Sequence, residues 1–144
     1  MILLDTNLLV YASIRQLPHH AAAHDWLGRV LEGPAAVGMP WPTLLSFIRL
    51  TTEGRIFSPP VPLKDAWNQV EAWLESDLVW CPAPTDRHAS ILSALLAGPD
   101  ITGRMVHDAH LAALAIEHGL TVCSADTDFA RFPEVKWMNP LIQS

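Results

Sequence analysis

The sequence predicts an α/β fold on a parallel sheet of four or five strands. Three observations support this. Short apolar runs recur along the chain, and most lead into a stretch with helical spacing. The runs are unbroken rather than alternating, as in strands covered on both faces. Strands that alternate with helices pair in parallel and send helices to both sides of the sheet.

The elements follow in order. Met1 to Leu4 read as a buried strand, and Asp5-Thr6-Asn7 supplies three capping-type residues before "LLVYAS" resumes as a helix. In "HHAAAHDWLGRVLEG" (19–33), Ala22, Ala23, Trp26, Leu27, Val30 and Leu31 share a helical face, and Gly33-Pro34 ends it. "AAVGMP" (35–40) is the second strand. Pro42 opens a helix through "TLLSFIRLTTEG", since proline is tolerated in a first turn. "FSPPVP" (57–62) is a connector too short for a domain linker. The spacing of Trp67, Val70, Trp73 and Leu74 predicts a helix over 63–77. "LVWCPA" (78–83) is the third strand, 85–97 a helix and "AGPDITG" a loop. "RMVHDAHLAALAIEHG" (104–119) is the clearest helix, closed by Gly119, and "LTVCSAD" (120–126) and "VKWM" (135–138) complete the strands. There is no internal repeat, so 1–144 is expected to be one domain.

Composition narrows the function. Half of the 144 residues are hydrophobic and 17% are charged, which excludes a disordered chain. No apolar run nears the roughly 20 residues of a membrane span. The first residues lack a basic segment and carry an acid, unlike a signal peptide, so a cytoplasmic, non-membrane protein is expected. The net charge of −6 argues against broad electrostatic binding of nucleic acid. It leaves room for a phosphodiesterase that holds metal with carboxylates and substrate with a few arginines. Cys81 and Cys123 are expected to be reduced, buried thiols.

The acids are not equivalent. Asp25, Glu32, Asp65, Glu71, Glu75, Asp77 and Glu134 fall at polar positions and read as solvated surface. Asp5 and Asp126 end strands, Asp128 follows two residues later, and Asp108 opens the 104–119 helix. Singly, each has a local use as a cap or a partner of the helix dipole. If the first and fourth strands are neighbours, all converge at the carboxyl edge of the sheet, where α/β proteins bind ligands. Carboxylates so close repel and push each other's pKa up. A hard divalent cation relieves that, because Mg²⁺ and Mn²⁺ prefer carboxylate and water oxygens.

"LLDTNLLVYA" and "HDAHLAALAIEHGLTVCSADTDFARFP" resemble the PIN-domain ribonucleases, and most closely the VapC toxins of bacterial toxin–antitoxin pairs. The resemblance brackets nearly the whole chain. It implies a three-layer α/β/α sandwich with a mostly parallel sheet. It further implies Mg²⁺-dependent RNA cleavage (Mn²⁺ substituting) that leaves 3′-hydroxyl and 5′-phosphate ends, a VapB-type antitoxin and a homodimer. The family usually carries Glu in the helix after the second strand; here Ser46 takes its place, and Glu53 is about two turns too far on to replace it. Four carboxylates are therefore expected, with weaker hold on a second metal ion.

In that scheme Asp5, Asp108 and Asp126 hold the principal metal, and Asp128 assists from outside or at a second ion. Asn7 is expected to bond substrate or fix Asp5, and Ser46 and Ser124 to position water. Arg104, four residues before Asp108 on one helix face, either pairs with it or meets a substrate phosphate. Arg15, Arg49, Arg55 and Arg87 are candidates for substrate choice. His20 and His24 lack a third zinc ligand, and His107-Asp108-Ala109-His110 has neither the glutamate nor the spacing of the His-Glu-x-x-His of zinc proteases. Trp67 and Trp73 read as core or interface rather than base-stacking platforms. The apolar stripe "LLSFIRLTTEGRIF" (44–57) suits the core or a groove for an antitoxin helix. Two rival functions compete. A phosphatase of the haloacid-dehalogenase type would need a second Asp where Asn7 stands. A catalytically weakened binding module would follow from the missing Glu.

Overall fold

The structure is a computed structural model in which residues 1–142 are described. Five strands form one sheet in the order β3-β2-β1-β4-β5, every pair parallel. They are β1 (Ile2–Leu4), β2 (Val37–Gly38), β3 (Val79–Trp80), β4 (Thr121–Cys123) and β5 (Trp137–Met138). Six α-helices flank them: α1 (Thr6–Ser13), α2 (His20–Leu31), α3 (Trp41–Thr51), α4 (Leu63–Leu74), α5 (His88–Leu96) and α6 (Val106–His118). The α/β expectation holds, and the sheet is wholly parallel.

Adjacent residues on a strand face opposite ways, and the two cores divide along that rule. Leu4, Val37 and Cys123 pack with residues of α1 to α4, including Leu8, Leu9, Leu27, Phe47, Val70 and Trp73. Leu3 and Val122 pack on the other side with α5 and α6, through Leu95, Ala112, Ala113 and Leu114, and with Phe129. Alanines on α6 let that helix lie close to the sheet. Gly38 is needed on β2 because a Cβ there would meet Pro82 Cγ at 2.9 Å and Ile2 O at 3.1 Å. Gly119 ends α6 at φ 67°, a left-handed turn, and Leu120 N–H closes onto Ala115 O at 2.8 Å.

The strands are shorter than their apolar runs. Met39, Pro40, Cys81 and Pro82 lie past the last paired residues of their strands, and prolines have no N–H for a ladder. The 63–77 helix stops at Leu74, and the 85–97 helix starts only at His88. Arg104 is not on α6. It belongs to a 3-10 turn, Gly103–Met105, so the shared face with Asp108 does not form. Trp73 is buried edge-on to Phe47 at 4.9 Å, whereas Trp67 is 40% exposed and no part of the core. Both cysteines are free, Cys123 buried and Cys81 half-buried; burial pushes the Cys123 thiol up to about 12.

One buried acid escaped the sequence reading. Glu117, near the end of α6, accepts from Thr85 N–H at 2.8 Å, from Thr85 Oγ1 at 2.7 Å and from His88 Nδ1. Arg87 donates to the Glu117 carbonyl at 2.7 Å. The carboxylate thus pins the chain entering α5 to α6. Burial pushes its pKa up, but the His88 and Thr85 donors outweigh that and leave it below the ordinary 4.5. Its stabilisation is therefore complete above that value and lost as pH falls through the lowered one. Glu117→Ala is expected to cost about 2–4 kcal/mol in urea unfolding at pH 7, because three donors lose their acceptor. The deficit should shrink in the same assay below the unfolded carboxylate pKa. A deficit that persists unchanged in acid would mean the charge is not what stabilises the contact.

Candidate metal-dependent active site

β1 lies between β2 and β4, so the chain winds one way to β2 and the other way to β4. The carboxyl ends of β1 and β4 therefore border the switch point, where an open α/β sheet forms its ligand crevice. Asp5 follows β1, and Asp126 follows β4 by three residues.

Both acids cap as their local sequence suggested. Asp5 Oδ1 accepts from Thr6 N–H at 2.8 Å at the start of α1, and Asp126 Oδ1 accepts from Asp128 N–H at 2.8 Å at the start of a second 3-10 segment, Thr127–Arg131. The caps do not exclude a second role, since each capping oxygen keeps a further lone pair.

Asn7 and Ser124 tie the two strand ends together. Ser124 Oγ donates to Asp5 Oδ2 at 2.7 Å and accepts from Asn7 Nδ2 and Asp126 N–H, both at 3.0 Å. Asn7 Nδ2 also reaches Asp5 Oδ2 at 3.4 Å, and its Oδ1 accepts from Ala125 N–H at 3.2 Å. Ser124 is wholly buried and its one donor and two acceptor positions are filled. Of the two roles foreseen for Asn7, this geometry matches the one that fixes Asp5.

Asp108, in the first turn of α6, meets this edge from above the sheet. One carboxylate oxygen from each of Asp108, Asp126 and Asp128 lies within 4.8 Å of the other two. The sequence had grouped Asp5 with Asp108 and Asp126 and set Asp128 outside; here Asp128 joins the tight trio, and Asp5 stands beside it with both oxygens hydrogen-bonded. Burial, then the charges of Asp5, Asp126 and Asp128, push the Asp108 carboxyl up to about 7. Burial also raises Asp5, and the Asp126 charge adds to it against the Ser124 and Thr6 bonds. Four acids crowd one edge, and the only ion pairs offered to them among the described residues go to Asp128, from Arg104 at 3.9 Å and Arg131 at 3.6 Å. Arg104 does not pair with Asp108, because its 3-10 turn points it across to Asp128. Such a donor set, all oxygen and short of positive charge, fits a hard divalent cation.

A cleft of about 180 Å³ opens beside these acids, lined by Asp5, Thr6, Pro42, Thr43, Ser46, Arg49, Leu50, His107, Asp108 and Leu111. Ser46 thus lies on the cleft wall and brings no charge. Glu53 is beyond the end of α3, exposed, and accepts from Arg55 N–H. The histidines divide. His107 lines the cleft, while His110 Nδ1 bonds His88 Nε2 at 3.1 Å away from it. His20 and His24 place Nδ1 on the carbonyls of Tyr11 and Ala12, and no third ligand joins them among the described residues. The seven acids read as surface are exposed.

Carboxylates gathered at the switch point of a parallel sheet fit the class of metal-dependent enzymes that act on phosphate esters. Comparison with known proteins narrows that class. The PIN-domain family model matches residues 2–135. Ribonuclease VapC37 of Mycobacterium tuberculosis is 41% identical over 140 residues, 97% of each chain. Among solved structures, M. tuberculosis VapC20, described as a sarcin-ricin loop cleaving toxin, superposes with TM-score 0.69 at 19% identity, covering 94% of this chain and 99% of that one. VapBC2 of Rickettsia felis, bound to a promoter DNA fragment, gives TM-score 0.68 at 17% identity, covering 96% and 98%. The chain belongs to the PIN-domain family, as a VapC ribonuclease toxin. The phosphatase alternative falls with that membership.

Two measurements test the site. Asp108 carries a proton in the fold between its ordinary 3.8 and about 7. In metal-free protein its contribution to stability is therefore greatest below 3.8 and lost as pH rises through 7. Cation binding must displace that proton, so Mn²⁺ affinity by calorimetry should rise about tenfold from pH 6 to 8, with proton release that depends on buffer. A pH-independent affinity would disprove the coupling. Ser124→Ala removes the donor to Asp5 and an acceptor for Asp126 N–H, and is expected to destabilise by about 1–3 kcal/mol. It should also move the acid limb of the activity profile to higher pH; an unmoved limb would mean Ser124 does not tune Asp5.

Proposed function

We propose that this chain cleaves RNA phosphodiesters with Mg²⁺, or Mn²⁺ in its place, at the edge formed by Asp5, Asp108, Asp126 and Asp128. The observation behind this reading is the convergence of four carboxylates at the switch point, with Asp108 raised by burial and then by its neighbours' charges. The bound cation supplies an activated water and offsets charge on the scissile phosphate. Asp108 and Asp126 hold it, with Asp5 and Asp128 completing the oxygen set. Asn7 and Ser124 keep Asp5 from swinging away, so the acids need not reorganise when the phosphate arrives. Arg104 and Arg131 screen Asp128 on the outer side. Ser46 offers a hydroxyl on the cleft wall where an acid would have drawn a second ion.

The partner we infer is a VapB-type antitoxin, and the chain is read as a homodimer in one domain. Asn7, Val10, Tyr11, Leu17, Leu50, Ile56 and Phe57 line an apolar depression of about 380 Å³. It includes the outer side of the 44–57 stripe, whose inner side, Leu44 and Phe47, is core. A helix with apolar residues on one face would fit it. No described helix is long and apolar enough to cross a membrane.

Asp5→Asn and Asp108→Asn are each expected to lower RNA cleavage roughly 100-fold or more while leaving the fold intact. EDTA should silence the wild type and added Mn²⁺ restore it. Mapping cleavage ends in total RNA after induction, wild type against Asp5→Asn, would name the target. Full activity in either variant or in chelator would sink the mechanism. Tight antitoxin binding with no cleavage at any enzyme concentration would favour the weakened binding module instead, a reading the uncharged Ser46 supports.

A further inference from the structure

Arg49 is an exposed arginine on the wall of the acidic cleft. Thr43, Ser46, Arg49 and Leu50 of α3 reach that wall together, with the three- and four-residue spacing of a single helix face. Two features separate Arg49 from the other cations near the acids. Arg104 and Arg131 are both engaged by Asp128, whereas the Arg49 guanidinium makes no ion pair or side-chain hydrogen bond among the described residues. The second feature is its neighbour. An acid at position 46 would lie three residues before Arg49, a spacing at which opposite charges pair along a helix. Serine leaves the guanidinium without a partner on its own helix. Asp5 and Asp108 line the same cleft, and with a cation on them Arg49 would keep its charge for an anion.

We propose that Arg49 grips a backbone phosphate of the RNA strand as it crosses the cleft, and that Ser46 is what leaves it free to do so. The inference rests on the ribonuclease reading. A guanidinium presents a planar fork that matches two phosphate oxygens. In a chain with nine Lys and Arg against fifteen Asp and Glu, one such contact is a large share of the attraction available to a polyanion. With the strand held on the α3 wall and at the carboxylate edge, its path between them is set by protein rather than by diffusion.

The test uses Asp5→Asn protein, which leaves RNA intact, and a short 5′-labelled single-stranded RNA of random sequence read by fluorescence anisotropy with MnCl₂ present. Adding Arg49→Ala should weaken binding about 10- to 100-fold. The slope of log affinity against log salt should flatten by about 0.7, the share of one phosphate on a single strand. Arg49→Lys should recover the slope and part of the affinity, because it keeps the charge and loses the fork. In a Ser46→Glu background the arginine is already paired, so Arg49→Ala should cost much less there. Mn²⁺ affinity by calorimetry should not change in Arg49→Ala, which separates a phosphate contact from a disturbed metal site. If the Asp5→Asn parent binds RNA and Arg49→Ala leaves affinity and slope unmoved, this inference fails alone. If the parent binds no RNA and the wild type cleaves none, the ribonuclease reading fails and takes the inference with it.

Discussion

The bond between Ser124 and Asp5 is what the functional edge depends on. It joins residues 119 positions apart, at 2.7 Å, just past the ends of two paired central strands. The ladder between β1 and β4 brings the strands side by side, and Asp5 N–H extends it by one bond to Cys123 O. Past that point backbone pairing stops and side chains take over. Ser124 and Asn7 continue the union without a backbone ladder, and they do so with Asp5 as one of the members. The acid proposed to meet a metal is therefore also part of what holds the sheet's edge closed. Rigid placement and chemistry share one set of atoms.

This arrangement has an electrostatic cost that the fold carries elsewhere. Asp5 and Asp108 are both held above their ordinary pKa, largely by burial. Neither burial nor neighbouring charge can be relaxed without opening the crevice, so the metal-free protein is strained toward protonation there. The opposite end of α6 is arranged the other way. Glu117 is buried too, yet His88 and Thr85 supply enough donors to keep it ionised. One helix thus has an acid short of partners at its start and a satisfied acid near its end. A site that needs a cation keeps its deficit; an acid that only joins two helices is fully paired.

Much of this was legible in the sequence, for reasons that differ by residue. Asp5 and Asp126 stand out because each ends an apolar run, and an acid there has few structural uses. Parallel pairing followed from the alternation of strands and helices, and that pairing brought the two acids together. Asp128 in the tight trio was harder to read, because the 3-10 segment after Asp126 turns it inward and periodicity says little about so short a turn. Arg104 was misread for the same reason: a 3-10 turn changes the angular step and redirects the side chain. Glu117 left no local trace at all. Its partners, Thr85 and His88, lie 32 and 29 residues away in an apparently ordinary loop and helix start. Local pattern cannot separate an acid that such a contact buries from one that water solvates.

Ser46 sharpens what the site's chemistry can be. A glutamate there would add a fifth carboxylate to an edge where Asp108 already sits near 7, and would raise its neighbours further. Serine lowers that repulsion and leaves fewer charges to hold a second ion. It also changes the α3 side of the cleft, where Arg49 pairs with no acid among the described residues. The cleft consequently combines two carboxylates, Asp5 after β1 and Asp108 of α6, with a cation from α3. A phosphate diester entering between them meets attraction from the arginine and, once a metal is bound, from the carboxylate side as well. The polarity of the cleft, more than the number of acids, is then what suits this acidic chain to an anionic substrate.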